Sequence, residues 1–301
     1  MDQGALPAFP RFHACALARL CSLFSPLWYV LCLSAACVLA ADPKSEELVK
    51  QGNAAFKKRD LPGAIALFTR AIAADPSNHI AYYNRGRVHD YEGRSEPALA
   101  DFNEVLKLQP KHSGCCQLRG ALHLRLGHFE EALADFDRYL TLVPKNEPHH
   151  WQRGIAFYYL GRYNEGRRQF EQCYRINTND IEHTLWHFAC VARLEGLEKA
   201  QASLLPPGKD PRPYLEQVYA CYAGKTRPEE VLSTADNSKD ESARRDVAHA
   251  HFYVGLLYEV AGKDALARNE IADAAGRGRK GDLICDLARA LAESSRKATS
   301  P

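Results

Sequence analysis

The chain has 301 residues, 46% of them apolar and 25% charged, with a formal net charge of +2. That length allows up to two globular units, the composition is that of an ordinary folded protein, and the near-neutral charge gives no clustered basic surface for nucleic acid. Gly and Pro are spread along the chain rather than gathered in a low-complexity tract.

Positions 1–41 differ from the rest. Arg11 and Arg19 precede a run without a charge from Leu20 to Ala41, and Asp42 ends it. A basic start, an apolar run and small residues at Val38-Leu39-Ala40 describe an export signal. Three fates remain open for residues 1–41. The signal is cleaved; or it stays as an anchor, since the uncharged run over 20–41 is long enough to span a bilayer even with Pro26 inside; or Cys37 is lipidated. For the last, Leu33-Ser34-Ala35-Ala36 precedes the Cys, with the Leu one place farther away than a standard lipobox has it. Membrane attachment would run through residues 20–41. All three fates place the body outside the cytoplasm, periplasmic, secreted or membrane-anchored.

From Ser45 the sequence repeats in four equal registers: 45–78, 79–112, 113–146 and 147–180. The eighth places read Gly52, Gly86, Gly120 and Gly154; the twentieth read Ala64, Ala98, Ala132 and Gly166. The twenty-fourth read Phe68, Phe102, Phe136 and Phe170, and the thirty-second Pro76, Pro110, Pro144 and Thr178. Small residues let two helices approach, the Phe is expected to fill the seam between hairpins, and the Pro ends the second helix. Turns are marked by Arg59-Asp60, Gly93-Arg94, Gly127-His128 and Gly161-Arg162. In these columns the chain resembles the tetratricopeptide-repeat (TPR) family over the whole of 45–180. The resemblance implies an all-α, right-handed superhelix of antiparallel helix hairpins, in which stacking buries what no single hairpin can bury alone.

Beyond residue 180 the period loosens. Residues 181–202 begin a hairpin, Pro206-Pro207-Gly208 and Pro211-Arg212-Pro213 break the chain, and 214–223 and 228–235 make short helices in an irregular region over 181–245. Gly255, Tyr258, Gly262, Ala267, Ile271 and Ala274 recover the repeat columns in a divergent fifth repeat. An amphipathic helix over 282–294 caps the array within the unit 246–296, leaving 297–301 as a tail. This layout is similar to the NlpI-like bacterial envelope lipoproteins, and implies the class of adaptors that bring substrates to envelope proteases and cell-wall enzymes.

Six Cys lie in the body, without the dense spacing of a disulfide scaffold. Cys173–Cys190, on consecutive helices, is the pair expected to bridge if any does. With no CxxC pair, no zinc site is expected.

The first helices should line the concave face. Their inward places give a peptide-binding groove containing Asn53, Tyr83, Asn84, Arg87, Trp151 and Tyr158, residue types that dominate interface hot spots. Chaperone-binding TPR domains grip a C-terminal carboxylate with two Asn and three basic residues. Asn53 and Asn84 match the two Asn, but Val49, Gly114 and Leu118 stand at the basic places, so that clamp loses its charge-assisted partners. Catalytic signals are weak. His183 and His187 sit four apart without an HExxH, and Glu130-Glu131 and Glu229-Glu230 fall at helix starts, where carboxylates suit the dipole. The expectation is a non-enzymatic scaffold with no cofactor, metal or nucleic acid, binding a protein or peptide. A membrane-associated assembly or secretion scaffold is the alternative, and a homodimer is open.

Overall fold

The computed structural model describes residues 42–236 and 244–299, so the signal or anchor, Cys37 and the other features of residues 1–41 lie outside the described residues. Four hairpins follow one another: α1 (Pro43–Lys57) with α2 (Leu61–Ala74), α3 (His79–Tyr91) with α4 (Ser95–Leu108), α5 (Ser113–Arg125) with α6 (Phe129–Leu142), and α7 (Trp151–Tyr159) with α8 (Tyr163–Ile176). Then come α9 (Ile181–Glu195), the short α10 (Leu197–Ala202), α11 (Pro213–Tyr222), α12 (Pro228–Asp236), the hairpin α13 (Arg244–Val260) with α14 (Asp264–Arg277), and α15 (Leu283–Thr299). Among the described residues every regular element is a helix, and the architecture is an all-α solenoid.

The eighth-place Gly and the twenty-fourth-place Phe explain each other. A Cβ at Gly52, Gly86, Gly120 or Gly154 would stand 2.6, 2.9, 2.7 or 2.6 Å from a ring carbon of Phe68, Phe102, Phe136 or Phe170. The Phe therefore packs onto the bare backbone of its own hairpin. Its ring also reaches the next hairpin, as a seam filler should: Phe136 lies 4.6 Å from the His150 ring and Phe170 stacks on Trp186 at 6.2 Å between centroids. The fifth repeat keeps the device in smaller form, with Ile271 3.0 Å from the Cβ position of Gly255. Turns between paired helices need a left-handed residue, supplied by Gly93, Gly127, Gly161 and Gly262 at φ of 71° to 75°. In the first hairpin Arg59 holds that conformation at φ 62°.

A second ladder runs along the same period. Arg85 Nε and Nη2 donate to Asp101 at 3.0 and 2.7 Å, while Nη1 donates to Thr69 of the preceding repeat at 3.0 Å. Arg119 does the same one repeat later, to Asp135 at 2.7 and 2.6 Å and to Asn103 at 2.7 Å. Each guanidinium thus ties its own hairpin to the one before, in the two-pronged geometry that suits Arg and carboxylate. In the fourth repeat Gln169 stands where the Asp would be: Arg153 Nη1 donates to Gln169 Oε1 at 3.3 Å and Nε to Asp137 of the preceding repeat at 2.8 Å, with the exposed Glu147 at 3.4 Å, so the tie persists with a neutral amide in place of the buried carboxylate.

That fourth repeat is also shortened. Pro148 has no N–H, and a 3-10 turn over Pro144–His149 replaces the first helical turn, so α7 starts only at Trp151. Beyond it, α9 is buried from Ile181 to Ala192 except at Glu182, because α8, α11 and α13 pack on it from different sides. Trp186 is its centre, with ring centroids 5.9 and 6.3 Å from Phe252 and Tyr253 of α13. The largest core cluster extends from Leu124 to Ala288 and joins the third and fourth repeats to the C-terminal helices. The tail expected over 297–301 is helical as far as Thr299, since no Gly or Pro interrupts α15 before Pro301. No helix among the described residues is long and apolar enough to cross a membrane.

Candidate interaction cleft on the concave face

The C-terminal helices come back over the face that the first helices line. α15 packs against α5: Arg125 Nε lies 3.6 Å from Asp286 Oδ2, and the Cβ of Ala290 is 3.1 Å from where one would stand on Gly127. At the fourth repeat the Tyr158 hydroxyl of α7 donates to Glu259 of α13 at 3.0 Å, and Arg193 Nη2 meets the same carboxylate at 2.6 Å. Repeats three and four thus have part of their concave face filled by this chain itself.

What stays open is a cleft of about 630 Å³ lined by Phe56 of α1, Arg87, Asp90 and Tyr91 of α3, and Leu118 and Arg125 of α5. Its far wall comes from the C-terminal half: Arg245 of α13 and the turn Arg279–Asp282 that enters α15. That turn touches the second repeat, with the Lys280 Cβ 3.4 Å from the Cβ position of Gly93. Tyr91 is 62% exposed, the most open of the large apolar side chains among the described residues, and meets Phe56 edge to face at 6.1 Å between centroids.

Of the six expected groove residues only Arg87 lines this cleft. Tyr83 is half-buried: its ring lies 4.7 Å from His112 and its hydroxyl occupies the space beside Gly114. Arg87 sits 5.7 Å over that ring. Asn84 is buried, with its Oδ1 3.5 Å from Arg87 Nη1, and Asn53 is half-buried on α1. Trp151 is half-buried and faces a 160 Å³ cavity shared with Trp186, Tyr253 and Ile284. Tyr158 is 2% exposed and is corrected from groove contact to core residue, because α13 covers it. Leu118, one of the residues expected to spoil a carboxylate clamp, lines the cleft, while Val49 is buried at 7% exposure. Reading the first helices alone could not reveal Arg245, Arg279 and Lys280, which reach the face only through the return of the C-terminal half.

The expected bridge does not form: Cys173 and Cys190 are buried free thiols. Cys190 Sγ points at Gly166, 2.9 Å from its Cβ position, and Cys173 lies two turns farther along α8, about 10 Å at 1.5 Å per residue. Burial pushes the Cys173 thiol up to about 11, and Cys190 higher still. His183 and His187 are also buried and face Asp180 and Glu171 at 3.6 and 3.5 Å. Burial lowers His187.

Among the described residues two sets of side chains have metal-ligand spacing, His249 with Asp282 and Cys285, and His251 with Glu270 and Asp273. Both are engaged structurally. Asp282 accepts from the Cys285 amide, so it caps α15, and it pairs with Arg245 and His249. His251 bridges Glu270 at 2.7 Å and Asp236 at 3.2 Å; burial opposes its charge, but the two carboxylates win and raise it.

Comparison with known proteins agrees with the geometry. Residues 49–113 match the family model described as tetratricopeptide repeat. The chain is 41% identical over 66 residues to the "Protein STIP1 homolog" of Dictyostelium discoideum, covering 22% of this chain and 12% of that protein. It is 43% identical over 65 residues to the "Heat shock protein sti1 homolog" of Schizosaccharomyces pombe, covering 22% and 11%. The match thus spans only about a tenth of the length of these relatives. Among solved structures, a tetratricopeptide repeat protein from Parabacteroides merdae superposes with a TM-score of 0.57 at 19% identity, over 83% of this chain and 99% of that one. MamA from Desulfovibrio magneticus gives 0.50 at 16%, over 54% and 92%. At such identities these structures speak for the fold alone.

Proposed function

Because the chain is a tetratricopeptide-repeat protein, a member of a family of protein-interaction scaffolds, we propose that it is a non-enzymatic adaptor acting outside the cytoplasm, which holds a segment of a partner protein in the cleft between α1, α3, α5 and the turn at residues 279–282. The observation that carries this reading is the open cleft itself. It is walled by a highly exposed Tyr91 and by Phe56 and Leu118, and interface anchors are drawn from such aromatic and aliphatic groups set in a concave site. The export reading rests on residues 1–41, and the envelope layout makes proteases and cell-wall enzymes the first partners to test.

The relative named as a heat shock protein suggests a second reading, a cytosolic chaperone-tail clamp. Val49, Gly114 and Leu118 at the cation places argue against it.

A photo-crosslinking residue placed at position 91, in the full chain and in its native cell, tests the reading, with the exposed Ala100 of α4 as control position. Defined adducts at 91 and none at 100 support it. Adducts at 100 alone move binding to the other face. Fractionation of the same cells reports location, and a body retained on membranes after a salt wash favours the membrane-assembly alternative.

A further inference from the structure

The charges in the cleft do not balance. Five cations line it (Arg87, Arg125, Arg245, Arg279 and Lys280) against two acids, Asp90 and Asp282. Arg125 pairs with Asp90 and with Asp286 behind it, and Arg245 pairs with Asp282 at 2.8 Å. Both acids are therefore already engaged. Arg87, Arg279 and Lys280 are exposed and form no ion pair among the described residues. The three sit around one concavity with an apolar wall of Phe56, Tyr91 and Leu118.

We propose that the cleft takes an acidic peptide segment of a partner protein, which lays one bulky apolar side chain against Phe56, Tyr91 and Leu118 and sets carboxylates on Arg87, Arg279 and Lys280. The proposal deepens the adaptor reading and rests on it. Three unpaired cations facing one space repel each other, and carboxylates placed among them remove that repulsion and add charge-assisted hydrogen bonds. Two of the three cations belong to the turn before α15, so the site exists only where the C-terminal half has docked on the second repeat. It is distinct from a clamp built of repeat residues alone. The chain's own residues 1–41 are not a suitable occupant, since their one acid is Asp2. An extended polyanion fits poorly as well. The cationic surface is confined to one cleft with Asp90 and Asp282 at its edges, whereas nucleic-acid affinity grows with a long row of phosphate contacts.

The test is selection of random twelve-residue peptides by display on the full-length chain, followed by anisotropy titration of an enriched peptide. The expected set is net negative with one aromatic or large aliphatic residue. Its Gln and Asn isostere should bind at least tenfold more weakly. The double variant Arg279→Glu, Lys280→Glu should weaken the acidic peptide at least tenfold, with an unchanged unfolding midpoint because both side chains are exposed. Equal binding of the isostere, or equal affinity of the double variant, overturns the proposal. Enrichment of neutral peptides that are lost in Tyr91→Ala overturns the acidic partner but keeps the cleft as a binding site. If no peptide is enriched and a single-stranded oligonucleotide binds through the same cations, both the proposal and the adaptor reading fall.

Discussion

The first three hairpins and the C-terminal half are built on the same hairpin unit but hold together differently. From α1 to α6 each hairpin is closed by its own Gly–Phe contact and tied to the one before by the Arg–Asp ladder, both in step with the repeat, so contacts are local and the face of the first two hairpins is left open. From α7 onward the ladder loses its Asp at Gln169, Pro148 shortens a helix, and the chain turns back so that α13 and α15 cover α7 and α5. Periodic packing leaves a surface free for a partner, and loss of the period lets the chain occupy that surface itself. The cleft lies where the two regimes meet.

The most severe way to break the comparison is at Trp186, which is 1% exposed and touches rings from α7, α8 and α13. Trp186→Ala should cost about 3–5 kcal/mol, the range for deleting a large buried aromatic. The cleft should open with it, because α13 loses its seat on α9. In hydrogen exchange, α13 to α15 should lose protection while α2 and α4 keep theirs. Uniform loss across all helices would show one cooperative unit in which the two halves do not differ.

Next in size is an acid effect at the point where the period fails. His150 caps α7: its Nδ1 accepts from the Arg153 amide at 3.3 Å, while Nε2 meets Gln117 at 2.7 Å and Phe136 covers the ring. Burial lowers it from 6.5 to about 4. The unfolded chain therefore takes up a proton between about pH 6.5 and pH 4 that the folded chain refuses. Stability is whole above that window and falls as the pH drops through it, by about 3 kcal/mol at 1.36 kcal/mol per pH unit. His150→Asn keeps a cap acceptor without the titration, so denaturation midpoints measured from pH 7 to pH 4 should flatten in the variant. An unchanged slope would place the acid sensitivity elsewhere.

These two sites also mark what the sequence made legible. The repeat columns revealed the four hairpins and their turns, because Gly, Phe and Pro act through backbone geometry and leave a fixed spacing behind. The Arg85, Arg119 and Arg153 column was equally periodic, with Asp101 and Asp135 in step, and went unread because charged residues on helices are ordinarily taken as solvated. Tyr158 carries the same type and spacing as a groove residue; its burial depends on Glu259, far along the chain, which no local pattern reports. The same holds for Arg279 and Lys280. Local periodicity encodes the first helices, whereas the far wall of the cleft comes from tertiary return.

The ladder itself can be compared across the boundary. Arg119→Ala strands Asp135, whose side chain is 4% exposed, and should cost about 2–3 kcal/mol, as expected when a charged hydrogen bond is removed from a nearly buried carboxylate. Arg153→Ala releases Asp137 and Glu147, which are 49% and 52% exposed, and should cost no more than about 1 kcal/mol. Urea midpoints of the two variants give the difference directly, and equal losses would mean that the neutral Gln169 holds the fourth repeat as firmly as Asp135 holds the third.

The smallest effect tests the regular half at its one irregular turn. Arg59 holds φ 62° where the other hairpins use Gly93, Gly127, Gly161 and Gly262, and a side chain in that left-handed region costs roughly 1–2 kcal/mol. Arg59→Gly removes the strain but loosens the unfolded chain, which returns part of the gain. The net result should be a stabilisation of about 0.5–1 kcal/mol, small enough to need chemical denaturation at several protein concentrations. If the first hairpin behaves as an independent end unit, the gain should appear as slower hydrogen exchange in α1 and α2 alone. A gain spread over α3 to α6 would mean that the end of the array sets the stability of the whole regular half, and that a partner bound against Phe56 would be felt along it.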